Sequence, residues 1–299
     1  MDSTIVMWFS VSGRPLPREK RSLYERGIHV PMIVRFPFKL GAGKYYDELV
    51  SLVDFAPTVF SLSGIPIPRY IQGHAFLGPA KAGKARSYVF AASDRIGSNF
   101  DMMRAVQDER YEFIRNSFPG TPYYFQDSGI ETMKTIQELI RLHDQDSLNA
   151  FQSRWFASGK PDFELFDTWN DPDELINLAD SSADSDKRYE LQKALNSWII
   201  ETGDMGLTPE SQIIGEFWPE GLQPRTGNVS YRIENQQVIL TSKTKGASIG
   251  YQVLPLDSLP TGSWELYSRA IPIRAETRVA ALAQRIGYSA SDTLMIEFR

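Results

Sequence analysis

The sequence has no cysteine and only three histidines among 299 residues. Without thiols there are no disulfides and no zinc–thiolate sites, which by itself leaves the compartment unknown. His29, His74 and His143 are scattered, with no metal-ligand spacing between them. No apolar run approaches 18 residues, so the pattern predicts no membrane-crossing helix and no membrane partner. A net charge of -5 gives no general attraction to nucleic acid or an anionic surface. The opening residues Met1-Asp2-Ser3-Thr4 lack a basic stretch followed by an apolar run, so no secretory signal is read in this chain. What remains is an ordinary globular composition, 42% apolar and 23% charged, at a length that suits about two domains.

Residues 4–9 form a continuous apolar run, the pattern of a strand covered on both faces. Only three residues precede it, which predicts either the second half of a larger fold or an unusual sheet edge. A polar loop carrying Lys20 and Arg21 leads to a second apolar strand at 31–36. A basic loop at the carboxyl end of a buried strand is where an open α/β sheet places its ligand. Helical spacing over 46–62 puts Leu49, Val53, Ala56, Val59 and Phe60 on one face, and Gly64 with Pro66 stops it. A strand at 87–92 precedes a hairpin, 102–106 with 111–115, that turns at Gln107-Asp108-Glu109-Arg110. An interrupted helix over 130–155 and a strand at 163–166 follow. Asn170-Asp171-Pro172-Asp173-Glu174 reads as a helix start, with proline in the first turn and carboxylates favoured there. Leu191, Ala194, Leu195, Trp198 and Ile199 then define an amphipathic helix. A linker composition at 218–226 separates this from six short strand-like runs between 229 and 298. Their spacing predicts a small antiparallel β-sandwich.

Ser10-Val11-Ser12-Gly13, Lys20, Tyr24-Glu25 and His29 through Pro31 resemble the sulfatase family. In that family a strand ends Ser-Asp-His-Gly or Ser-Asp-Asn-Gly, then come a lysine or arginine, a Tyr-Glu-Gly-Gly-like turn and Arg-x-Pro. Ser51-Leu52-Val53-Asp54-Phe55-Ala56-Pro57-Thr58 is similar to a sulfatase helix. The stretch Arg110-Tyr111-Glu112-Phe113-Ile114-Arg115-Asn116 is similar to its C-terminal hairpin, and Glu164-Leu165-Phe166-Asp167 to the strand that follows. Gly246-Ala247-Ser248-Ile249 and Gly287-Tyr288-Ser289 resemble a chitobiase/hexosaminidase-type C-terminal module. Its aromatics, Tyr251, Trp264, Tyr267 and Tyr288, read as sandwich core and turn anchors or as a sugar-stacking face.

The resemblance implies a mixed α/β chain. Residues 1–92 would be the C-terminal part of an alkaline-phosphatase-like core with an incomplete sheet. Residues 93–217 would be its α+β subdomain, 218–226 the linker and 227–299 a small all-β sandwich. It implies hydrolysis of sulfate esters or sulfamates, on sulfated carbohydrate or aryl sulfate, by formylglycine and calcium. Family members are often periplasmic or secreted. Taken alone, Arg18-Glu19-Lys20-Arg21 is a solvated charged run; the resemblance places Lys20 on the cation that contacts sulfate, with Arg21 and His29 as further contacts. Val11 and Ser12 stand on two of the family's metal-ligand positions. Valine has no donor atom and a serine hydroxyl is a weak one. No cysteine is present, and no serine begins a Ser-x-Pro-x-Arg motif.

The expectation is therefore a sulfatase-lineage chain with no cofactor of its own, inactive alone. Its partner would be a missing N-terminal sulfatase half or a second copy of itself. The rival readings are a non-catalytic carbohydrate-binding or assembly protein, a phosphatase or phosphomutase of the same superfamily, and a truncated reading frame.

Overall fold

The fold is mixed α/β, built from several small antiparallel sheets. The computed structural model describes residues 3–96, 100–125 and 129–299. Strand β1 (Val6–Phe9) is followed by a single helical turn, α1 (Glu25–Ile28), and by β2 (Met32–Arg35), which pairs antiparallel with β1 so that Phe9 lies opposite Met32. Among the described residues β2 is the sole paired neighbour of β1. The sequence pattern reads β1 as covered on both faces; here, in a two-stranded ribbon, Trp8 is 59% and Ile33 61% exposed, whereas Phe9 packs edge-on against Phe55.

Helix α2 (Phe55–Leu62) is shorter than the 46–62 expected from the periodicity. Pro57 explains the difference: it lacks an N–H and clashes with the carbonyl four residues back, so it suits only a first turn. Ser51 and Asp54 form a capping box just ahead of it. The face turned inward is also the opposite of the one expected. Asp54, Pro57, Thr58 and Ser61 are buried, whereas Val53 and Val59 are exposed. The polar face is satisfied by the following loop: Asp54 accepts from the His74 N–H at 2.8 Å and pairs with Arg86, and Thr58 Oγ1 accepts from the Phe76 N–H at 3.1 Å.

The centre of the first compact unit, Met1–Leu207, is a four-stranded antiparallel sheet. It is made of β3 (Val89–Asp94), β4 (Met102–Gln107) and β5 (Tyr111–Asn116), joined after α3 (Lys134–Asp144) and α4 (Ala150–Ser153) by β6 (Phe163–Asp167). Strand alternation sorts its side chains onto two faces. Val106, Phe113 and Leu165 pack beneath α5 (Ser185–Thr202), against Leu191 and Leu195. Ala105, Ile114 and Phe166 point the other way, onto Leu23 and Tyr24 from the Lys20 loop. The helix start expected at 170–174 is instead a turn. Asp167 accepts from Asn170 and Asp171 Oδ2 accepts from the Ile176 N–H at 2.7 Å, so these carboxylates close local turns, and the helix begins at Ser185.

The second unit, Thr208–Arg299, opens with α6 (Glu210–Phe217) and continues through β7 (Val229–Glu234), β8 (Gln237–Ser242), β9 (Ser248–Pro255), β10 (Glu265–Leu266), β11 (Ile271–Pro272), β12 (Thr277–Gln284) and β13 (Leu294–Phe298). One sheet has the order β10-β9-β12-β13 and the other β11-β8-β7. Val238 and Leu240 of one sheet share a core with Val279, Ala281 and Ile296 of the other. Tyr251 and Tyr267 flank this core, and the Tyr267 hydroxyl accepts from the Leu240 N–H at 3.1 Å.

Candidate functional site

The loop between β1 and α1 is wound tightly by its own polar groups. Gly13 lies against the backbone of Arg26; a Cβ there would sit 2.0 Å from the Arg26 carbonyl oxygen. Buried Glu19 accepts from the Arg14 N–H at 3.1 Å and grips the Arg14 guanidinium with both oxygens, at 2.9 and 2.7 Å. The Lys20 N–H returns to the Arg14 carbonyl at 2.9 Å. Arg18 and Arg21 both adopt left-handed backbone angles, φ 59° and 68°, a conformation that side-chain-bearing residues hold only when their surroundings impose it. Arg18 stacks on the Tyr24 ring at 3.6 Å, and its Nη2 donates to the Glu174 carbonyl at 2.7 Å.

This loop forms one wall of a cavity of about 390 Å³ within the first unit. Arg18, Lys20 and Arg21 line that wall; Lys20 and Arg21 are exposed to the opening. The rest of the lining comes from the end of β3, from the start of β4 and from the segments around β5 and β6. It carries Asp94, Arg95, Asp101 and Lys160, together with the rings of Tyr123, Tyr124 and Trp155. Lys160 is held in place, its side chain 1% exposed and paired with Asp101, which also accepts from the Met102 N–H at 2.8 Å. Asp94 is countered by Arg104 at 2.5 Å and by Arg95 at 3.4 Å.

Among the described residues, five basic and two acidic side chains line this space, in a chain whose net charge is -5. Both carboxylates are paired, Asp101 with Lys160 and Asp94 with Arg104 and Arg95. A concave site lined by cations and aromatic faces suits an anionic ligand with an apolar or sugar-like body.

Lys20 and Arg21 are thus brought together at the cavity, whereas His29 is not among its lining residues. The His29 side chain is 74% exposed and pairs through Nδ1 with Glu25 Oε1, and that hydrogen bond raises its pKa. Val11 is 74% exposed, and the Ser12 hydroxyl donates to the Gly13 carbonyl at 3.4 Å. These two residues do not fit a calcium ion. Among the described residues no three Asp, Glu or His side chains gather to hold one. Tyr123, Tyr124, Trp155 and Lys160 were not anticipated from sequence. Tyr123-Tyr124-Phe125 is visible as an aromatic run, but Lys160 reaches the site only through tertiary pairing with Asp101.

Residues 18–127 match the family described as N-sulphoglucosamine sulphohydrolase, C-terminal. The chain is 39% identical over 297 residues to an "Ulvan-active sulfatase" of Formosa agariphila, covering 99% of this chain and 50% of that protein. It is 24% identical over 244 residues to the human N-sulphoglucosamine sulphohydrolase, covering 75% of this chain and 47% of that one. An N-acetylglucosamine-6-O-sulfatase of Bacteroides thetaiotaomicron is 26% identical over 199 residues, covering 65% and 30%. The chain spans half or less of the length of these relatives.

Proposed function

From a chain that belongs to the sulfatase family, with its C-terminal domain matched at 18–127, we propose that the cavity beside Lys20 holds the sulfate group of a sulfated carbohydrate. Lys20 contacts the sulfate, Arg21 assists, and the rings of Tyr123, Tyr124 and Trp155 take the sugar. The observation that carries this is the exposed Lys20 lining the same cavity as the rings of Tyr123, Tyr124 and Trp155. Names of the relatives support the ligand class: two of them act on glucosamine derivatives. Aryl sulfate would enter the same space. His29 then acts at most by holding Glu25 in place.

The chain alone binds without turning over. It has no cysteine and no Ser-x-Pro-x-Arg to supply a formylglycine, and Val11 offers no metal donor. In the proposed organisation, residues 1–92 and 93–217 are the core and subdomain of the sulfatase part, joined through 218–226 to the sandwich at 227–299. The uncovered side chains of Trp8, Ile33, Val53 and Val59 are where a complementary sulfatase half, or a second copy, would pack.

The purified chain is expected to show no calcium-dependent release of 4-nitrophenol from its sulfate ester. Glucosamine 6-sulfate should bind and glucosamine should not, as read by calorimetric titration. Equal binding of both sugars would remove the anion site from the proposal; calcium-dependent turnover in a preparation free of host sulfatase would contradict the inactivity.

A further inference from the structure

The sheet face beneath the Lys20 loop carries an unusual buried group. Glu112 on β5 has no solvent exposure, and neither of its carboxylate oxygens meets a hydrogen-bond donor. Glu174, 1% exposed, leaves Oε1 without a donor as well, and its carboxyl acts directly on that of Glu112. Two buried carboxylates side by side cannot both ionise without an uncompensated like-charge contact. Glu174 is also where the loop attaches. Its Oε2 accepts from the Glu25 N–H at 2.9 Å, and its backbone carbonyl accepts from Arg18 at 2.7 Å.

We propose that Glu112 and Glu174 are both uncharged in the seated state and act as the positioning pair that seats the cation-bearing loop, residues 18–25, on the four-stranded sheet. When Glu174 ionises, the loop loosens and anion binding in the cavity weakens. The binding half of this inference rests on the cavity reading given above; the seating half does not.

The other charged groups facing the pair do not neutralise it. Glu164 is engaged by the Tyr24 hydroxyl at 2.8 Å, Asn116 Nδ2 at 2.8 Å and the Tyr123 hydroxyl at 3.1 Å. Glu25 accepts from Gln107 Nε2 at 2.7 Å and pairs with His29, so its own charge faces those donors and adds to the negative field. Arg18 reaches Glu174, and it is spent on the backbone carbonyl and the Tyr24 ring. Burial, followed by the charge of Glu174, pushes the Glu112 carboxyl well above its ordinary range, and burial pushes Glu174 up to about 7.

The direction of the pH effect follows from linkage. A carboxyl that holds its proton more tightly when folded lends stability that is complete below the ordinary value of 4.5. That contribution is lost as pH rises through about 7. Inorganic sulfate stays fully ionised across this range, so a change in its binding reports on the protein.

The test measures melting temperature and inorganic sulfate affinity of the whole chain between pH 5 and 8.5. The expected result is a melting temperature that falls across the interval. Sulfate dissociation constants should rise by about tenfold, the factor carried by one unit of pKa displacement. Glu174→Gln removes the carboxyl that ionises in this interval and should flatten both profiles; Glu112→Gln, which sets an amide donor beside Glu174, should move the fall to lower pH and is the second variant if the first fails to fold. His29→Gln should leave the slope in place, which separates the pair from the histidine that titrates in the same window. A flat wild-type melting profile, a slope that survives Glu174→Gln, or a slope abolished by His29→Gln would each overturn the inference. If no sulfate binds at any pH, the cavity reading falls, and the melting profile still decides for or against the pair.

Discussion

Replacing Arg104 with methionine is expected to lower the unfolding free energy by about 3–5 kcal/mol, the usual cost of removing one partner from a buried ion pair. Arg104 projects from β4 with 3% of its side chain exposed. Its Nε reaches Asp204 Oδ2 at 2.5 Å, its Nη2 reaches Asp204 Oδ1 at 2.8 Å and Asp94 Oδ2 at 2.5 Å, and Nη1 donates to the Met103 carbonyl at 2.8 Å. Methionine fills much of the same volume and leaves Asp204 without its counter-charge and Asp94 with Arg95 alone. The hydrogen bond from Arg104 holds the Asp204 carboxyl below the ordinary aspartate value of 3.8. Its contribution is therefore present above that value and lost as pH falls through the lower folded value. Urea unfolding at neutral pH would measure the change. Adding Asp204→Asn to the Arg104 variant should recover part of the loss, because the stranded charge is gone. A loss under 1 kcal/mol would mean that solvent reaches this network.

Lys20→Ala is expected to weaken inorganic sulfate binding at least tenfold, about 1.4 kcal/mol, from an affinity already in the millimolar range or weaker. Lys20 faces the cavity, makes none of the ion pairs identified among the described residues, and is held by the Arg14–Glu19 turn. Its ammonium is the charge most available to a ligand. Chloride should compete, as it does at any partly exposed cationic site. Lys243→Ala, in the second unit, should bind sulfate as the wild type does. NMR titration separates these outcomes: equal sulfate-induced shifts in the two variants would mean that no specific site exists around Lys20.

Much of the fold was legible because its elements are dictated locally. The hairpin of β4 and β5 follows from alternation around a polar turn, and the observed strands at 102–107 and 111–116 extend the expected ones by a residue. The sandwich strands fall where turn residues interrupt apolar runs, except the two-residue β10, too short to leave a periodic trace. The errors were tertiary in origin. Spacing alone pointed Val53, Ala56 and Val59 inward, whereas Asp54, Thr58 and Ser61 found hydrogen-bond partners in a loop about twenty residues away. Asn170 through Glu174 carry helix-start residues, yet the same carboxylates close turns with Asn170 and Ile176. Of the site, Lys20 and Arg21 were visible as a basic loop after a strand. The rest of the lining was not, since Trp155 and Lys160 lie far along the chain and join that loop only on folding. Nothing in the sequence marks Glu112 as buried, because the cover on the second face of β5 comes from residues distant in the chain, Leu23, Tyr24 and Phe166.

The most direct measurement is a crystal of the chain soaked in selenate, a sulfate mimic whose selenium scatters anomalously. The expected result is an anomalous peak in the cavity within hydrogen-bond reach of Lys20 Nζ, absent from Lys20→Ala crystals grown in the same way. Peaks confined to other surface lysines, or an unchanged peak in the Lys20→Ala crystals, would contradict the assignment of this cavity as the anion site.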